Sequence, residues 1–166
     1  MTCGLPPFTA DGLLPVGDYP MTVGDYPMTL AELRASHLVS GDGLGSQTWD
    51  AAWRDQLVSG LEIMVQQLWQ INITRIFIDG SFVEDKDHPN GIDGYFECDA
   101  HYVLSGQLQN DLNAIDPFKV WAWHPATRRL DPSSGKRQLP MWHQYRVELY
   151  PHFPNLTFRH SRPVWE

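Results

Sequence analysis

Cysteine is nearly absent: Cys3 and Cys98 are the two in 166 residues. One falls in an expected tail and the other in an expected strand, so neither a disulfide framework nor a cysteine zinc pattern can be assembled. A reducing, cytoplasmic compartment is the simplest expectation. No run approaches 18 apolar residues, which excludes a membrane-spanning helix. The segment Met1 to Thr9 lacks a basic stretch followed by an apolar one, so no secretory leader is expected. Charge is sparse and one-sided. Charged residues are 19% of the chain, with 12 Lys and Arg against 20 Asp and Glu, a formal charge of −8. Non-specific DNA binding is driven by neutralising phosphates, and a domain this acidic is not expected to do it. The seven histidines show no ligand spacing such as His-x-x-x-His.

Core-forming material, by contrast, is plentiful. Apolar residues make up 42% of the chain, including seven Trp, seven Phe and six Tyr. That suffices for one packed domain and falls short of two. Residues 1–45, rich in Gly and Pro, read as an N-terminal extension. They hold a seven-residue duplication, Val16 to Thr22 repeated as Val23 to Thr29, too short and too few to build a repeat fold. Thr29 is placed to cap a short helix from Leu30 to about Ser36. Residues 46–152 read as the folded domain, and 153–166 as an irregular tail.

Within that domain, Trp53, Leu57, Leu61, Met64 and Leu68 recur at helical steps, predicting a helix over 48–70 capped by Thr48 or Ser46. Ile73 to Asp79 is β-branched and apolar on both faces, which predicts a central strand. Asn90-Gly91 is a turn signal. Ile92 to Asp99 then alternates, with Asp93, Tyr95, Glu97 and Asp99 sharing the wetter face. Ser105 is expected to cap a helix ending before Pro117, and Phe118 to Trp123 to form a strand. Thr127 to Arg137 reads as a basic loop. Trp142 to Tyr150 reads as a last strand, with Gln144, Arg146 and Glu148 on its polar face. The pattern is α+β, a small mixed sheet packed by helices.

Three pieces carry chemistry: Gly80-Ser81 at a strand end, Asp93 on the next strand, and Glu148 on the last. If those strands are neighbours, the two carboxylates approach each other, and close carboxylates repel unless a proton or divalent cation lies between them. Mg²⁺ held by one or two carboxylates plus substrate phosphates is the usual arrangement. Glu148 has a second use open to it, an ion pair with Arg146. Glycine lets the backbone approach a phosphate closely, and the serine hydroxyl adds a donor. Lys86, in the following loop, can reach phosphate. The combination suggests metal-assisted phosphoryl or nucleotidyl transfer.

The stretch Phe77-Ile78-Asp79-Gly80-Ser81-Phe82-Val83, then Lys86, then Pro89-Asn90-Gly91-Ile92-Asp93-Gly94, resembles the minimal nucleotidyltransferase superfamily related to DNA polymerase beta, over roughly residues 30–152. More narrowly it is similar to a bacterial branch with a Gly-Ser-Phe-Val block. The resemblance implies a nucleotidyltransferase-like palm, with Gly80 and Ser81 on the phosphates of a nucleoside triphosphate. It also implies Asp93 as the second acid of an Asp-x-Asp, and Glu148 as a third carboxylate binding Mg²⁺. The acceptor would be a hydroxyl of a protein or RNA. The first acid of the pattern falls at position 91, where this sequence has Gly91, so the carboxylate set is incomplete. The alternative expectation is a catalytically degenerate binding module, such as a toxin–antitoxin or defence-system component. Position 91 separates the two: an acid argues for the enzyme, glycine against it.

Overall fold

The longest helix is set by one cap and one buried stripe. In the computed structural model, which describes residues 5–14 and 26–154, α3 spans Ala51–Gln70. The duplicated segment Val16 to Thr29, apart from its last four residues, and the tail from residue 155 lie outside the described residues. The cap is Asp50, whose carboxylate accepts the Trp53 N–H at 3.0 Å. The expected caps, Thr48 and Ser46, instead donate their hydroxyls to the Asp87 carboxylate. A carboxylate at the helix start gains from the positive end of the dipole as well as from the bond, so it outcompetes a hydroxyl two residues earlier. Leu57, Val58, Leu61, Met64 and Leu68 are all buried on one face. Each contributes about 1.5–3 kcal/mol of apolar transfer.

Two short helices precede it, α1 at Leu30–Ala35 and α2 at His37–Ser40. Thr29 caps α1 by accepting the Glu32 N–H at 3.1 Å. Leu33, Leu38 and Val39 are buried in the same hydrophobic cluster as α3.

Three strands form the main sheet: β1 at Ile76–Asp79, β2 at Ile92–Glu97 and, last in the chain, Val147–His152. Their order places β2 in the centre, antiparallel to β1 and parallel to the last strand. A mixed three-stranded sheet with helices makes the class α+β. Among the described residues no helix is long and apolar enough to cross a membrane.

After β2 the chain forms α4 at Ala100–Leu104 and α5 at Gln107–Ile115. Gly106, at φ +82°, breaks the two apart. Ser105 accepts the Gln107 N–H across that break at 3.3 Å.

Phe118 to Trp123 is not a strand, contrary to its sequence pattern. Its backbone groups are taken by side chains: Asp116 accepts the Phe118 N–H, while Asn113 accepts the Trp121 N–H and donates to the Trp121 carbonyl. Trp121 and Trp123 drop into the core from this irregular segment. Their alternation reflects two plugs rather than a pleat. The basic loop contains a short hairpin, β3 at Arg129–Leu130 and β4 at Arg137–Gln138.

The last expected strand splits in two. Pro140–Tyr145 is a helix, α6, and only Val147–His152 is strand, β5. Pro140 sits in the first turn, where its missing N–H costs nothing. Arg146, at φ +59°, ends the helix in the left-handed region. Gln144 and Arg146 therefore do not share a strand face with Glu148.

Candidate functional site

The sheet register decides which side chains meet. Asp79 lies opposite Asp93, and Asp93 lies opposite Glu148. Partners in register project to the same face. Three carboxylates thus stand side by side across β1, β2 and β5, on the face away from Ile92, Phe96 and Leu149. Behind them the next row on that face is Phe77, Tyr95 and Tyr150. Asp93 and Glu148 stand in register because β2 and β5 are neighbours, the condition their alternation left open; Asp79 joins them, which its apolar strand did not signal.

Gly80 makes the row compact. It turns the chain out of β1 into a 3-10 turn, Gly80–Val83, with φ +72°. A Cβ placed on it would lie 2.8 Å from Asp93 Oδ2 and 3.2 Å from its Cβ. Glycine is required here twice over, by backbone conformation and by contact. Ser81 follows in the same turn. Lys86 lies exposed beyond it, and no described residue bonds its ammonium; its backbone donates to the Glu84 carbonyl and accepts from Arg54.

The carboxylates differ in environment. Glu148 is buried at 8% exposure, accepting the Tyr150 hydroxyl at 2.9 Å and the Leu139 N–H at 3.4 Å. Its cationic neighbour is Arg128 of the hairpin, at 3.8 Å, not Arg146. Burial beside that carboxylate raises the Tyr150 hydroxyl above its ordinary range. Asp93 keeps a solvent-facing edge, yet desolvation by the surrounding fold, then the charges of Glu148 and Asp79, push its carboxyl up to about 6. Burial alone raises Asp79.

That shift has a measurable consequence. Above its ordinary value of 3.8, the folded protein holds the Asp93 proton more tightly than the unfolded chain does. The associated stability is fully present below about pH 4 and is lost as pH rises through about 6. Asp93→Asn is expected to stabilise the fold by about 1 kcal/mol at pH 7.5, discounted for the solvent edge, and by nothing at pH 4. Urea denaturation at the two pH values checks this; equal effects at both would remove the electrostatic account.

Position 91, where the incomplete acid set leaves Gly91, is closed. A Cβ there would sit 2.5 Å from the Arg146 carbonyl oxygen and 2.9 Å from Trp142 Nε1. Buried Trp142 and the backbone of the α6–β5 junction occupy the space an acid would need. Among the described residues, no three His, Cys, Asp or Glu side chains are gathered to hold a metal ion by themselves.

One residue that sequence reading missed holds the site together. Arg54, fully buried on α3, donates to four backbone carbonyls: Leu38, Phe82, Glu84 and Lys86, at 2.5–3.0 Å. Its guanidinium lies 3.9 Å from the Trp49 ring centroid and 5.0 Å from that of Phe82. Three of those carbonyls belong to the turn and loop after Gly80. The signal was available: an arginine one helical turn before Val58, on the buried stripe.

A family model described as a family of unknown function, DUF6932, matches residues 6–161. No curated protein and no solved structure matches the chain.

Proposed function

The chain belongs to DUF6932, a family of unknown function, and we propose that this member binds a nucleoside triphosphate with Mg²⁺ in the cytoplasm and transfers its nucleotidyl group to a hydroxyl of a protein or RNA, with pyrophosphate as the leaving group. The observation that carries this reading is the register pairing of Asp93 with Glu148 directly beside the tight Gly80 turn. The likeness of the Gly-Ser-Phe-Val block and the following acidic strand to the DNA polymerase beta-like superfamily adds to it.

The donor set fits one Mg²⁺. It consists of hard carboxylate oxygens, as that ion prefers. Repulsion from Glu148 and Asp79 is part of what raises Asp93, and a cation relieves that repulsion. Asp93 and Glu148 would hold the ion, with Asp79 beside them and with phosphate and water completing the shell. Bound there, the ion supplies charge for the phosphates and acidifies the acceptor hydroxyl. Gly80 allows close approach of the backbone to the ligand, Ser81 offers a hydroxyl, and Lys86 is within the same loop.

Calorimetry with each of the four nucleoside triphosphates, with and without Mg²⁺, tests the reading. Micromolar binding that needs Mg²⁺ is expected, at least tenfold weaker in Asp93→Asn and weaker below pH 6, where Asp93 takes up a proton. Transfer of label from the bound nucleotide to a protein or RNA fraction would follow. No heat from any nucleotide would sink it.

The closure of position 91 favours a second reading, a catalytically silent module that binds a protein partner, as in toxin–antitoxin or defence systems. Nucleotide-independent association with a helical protein encoded nearby would support that reading.

A further inference from the structure

Arg146 combines three features no other described cation has together. It is a non-glycine residue in the left-handed region, at φ +59°. The turn that ends α6 holds it there, which fixes where its side chain leaves the backbone. Its guanidinium carbon lies 4.0 Å from the Trp142 ring centroid and 5.8 Å from that of Trp53, so it rests against two indoles. It is half-buried, yet its side chain donates no hydrogen bond and meets no carboxylate among the described residues. The other buried or half-buried cations are all engaged: Arg34 with Asp55 and Glu62, Arg54 with carbonyls, Arg128 with Tyr150 and Glu148. In a chain of formal charge −8, an unpaired guanidinium held in place is conspicuous.

Its location gives it a use. Trp142 of α6 packs against Gly91, and Trp53 of α3 donates its indole N–H to the Pro89 carbonyl at 2.6 Å, so both indoles contact the turn that leads into Asp93. Arg146 itself accepts the Ile92 N–H on its carbonyl at 2.9 Å and lies two residues before Glu148. Stacking on indoles fixes the plane of a guanidinium but leaves its edge donors available. That edge matches a phosphate in two-point fashion.

We propose that Arg146 is a phosphate-binding group that takes a phosphate of the nucleotide without help from metal. This rests on the nucleotide reading of the neighbouring carboxylates, and extends it: negative charge on the ligand is met by Arg146 at one end and by the cation at the other.

The test uses inorganic tripolyphosphate in excess EDTA, titrated into the full chain. Wild-type protein is expected to bind it, and Arg146→Gly to bind at least tenfold more weakly. Glycine accepts φ +59° readily, so this variant should stay folded; Arg146→Lys, which keeps charge but loses the planar fork, should lose most of the affinity too. Arg75→Gln, which removes an exposed cation already paired with Glu97, should leave metal-free binding unchanged, which separates Arg146 from a general effect of charge. No tripolyphosphate binding in EDTA, or equal binding by folded Arg146→Gly, would overturn the proposal. Arg146-dependent tripolyphosphate binding without any Mg²⁺-dependent nucleotide binding would sustain it while removing the metal reading.

Discussion

Arg54→Met is expected to destabilise the protein by about 4–5 kcal/mol, enough to leave much of it unfolded at 37 °C. Methionine fills much of the aliphatic volume but has no donors. The carbonyls of Leu38 and Phe82 are bonded at 2.8 and 2.6 Å in a buried setting, where water cannot replace the guanidinium. Each buried orphan costs about 1–3 kcal/mol. The carbonyls of Glu84 and Lys86 are closer to solvent and recover part of their loss. Among the described residues no carboxylate bonds Arg54; burial lowers its pKa to about 10, opposed by the charges of Asp85 and Asp87. Arg54→Lys should therefore fail nearly as badly, because one ammonium cannot span four acceptors on two segments. Urea denaturation with circular dichroism measures both. If Arg54→Met lost less than 1 kcal/mol, the idea that α3 tethers the Gly80 turn through this residue would fail.

Gly91→Asp, the substitution that would complete the acidic pattern, is expected to cost about 3–4 kcal/mol and to restore nothing. Its Cβ would meet a backbone carbonyl at 2.5 Å and a buried indole at 2.9 Å. Neither is a flexible end that can swing away. A carboxylate forced into that space would also lose its water. Gly91→Ala isolates the steric part and should cost about 2–3 kcal/mol. Thermal melts of the two variants, with Mg²⁺ titrated by calorimetry, check the pair. A Gly91→Asp protein as stable as the parent with tighter Mg²⁺ binding would show that Trp142 yields.

Local signals were legible where one residue type has one local use. The stripe from Leu57 to Leu68 marks α3, Thr29 caps α1, and the alternation from Ile92 to Glu97 marks β2. The face of Asp93 follows from that same period. Trp142 to Tyr150 defeated the period argument because a helix turn and a strand meet at Arg146, and a nine-residue window mixes both patterns. Phe118 to Trp123 defeated it because Asn113 and Asp116 satisfy the backbone that a strand partner would otherwise satisfy.

The amino-acid sequence by itself determined the α+β composition, the one-sided charge, the glycine turn and the two carboxylates on strand faces. These are properties of residues within a few positions of one another, governed by periodicity, capping and backbone conformation. Only the tertiary structure decided that Asp79 stands beside Asp93, that Arg128 rather than Arg146 approaches Glu148, that Trp142 closes the space at Gly91, and that Arg146 is stacked with no polar partner among the described residues. Each of those depends on register between strands or on packing between segments 50 or more residues apart, apart from the contact of Arg128 with Glu148 and the local stacking of Arg146 on Trp142. Contacts at such separation are selected by how well whole surfaces pack, and no local pattern encodes them.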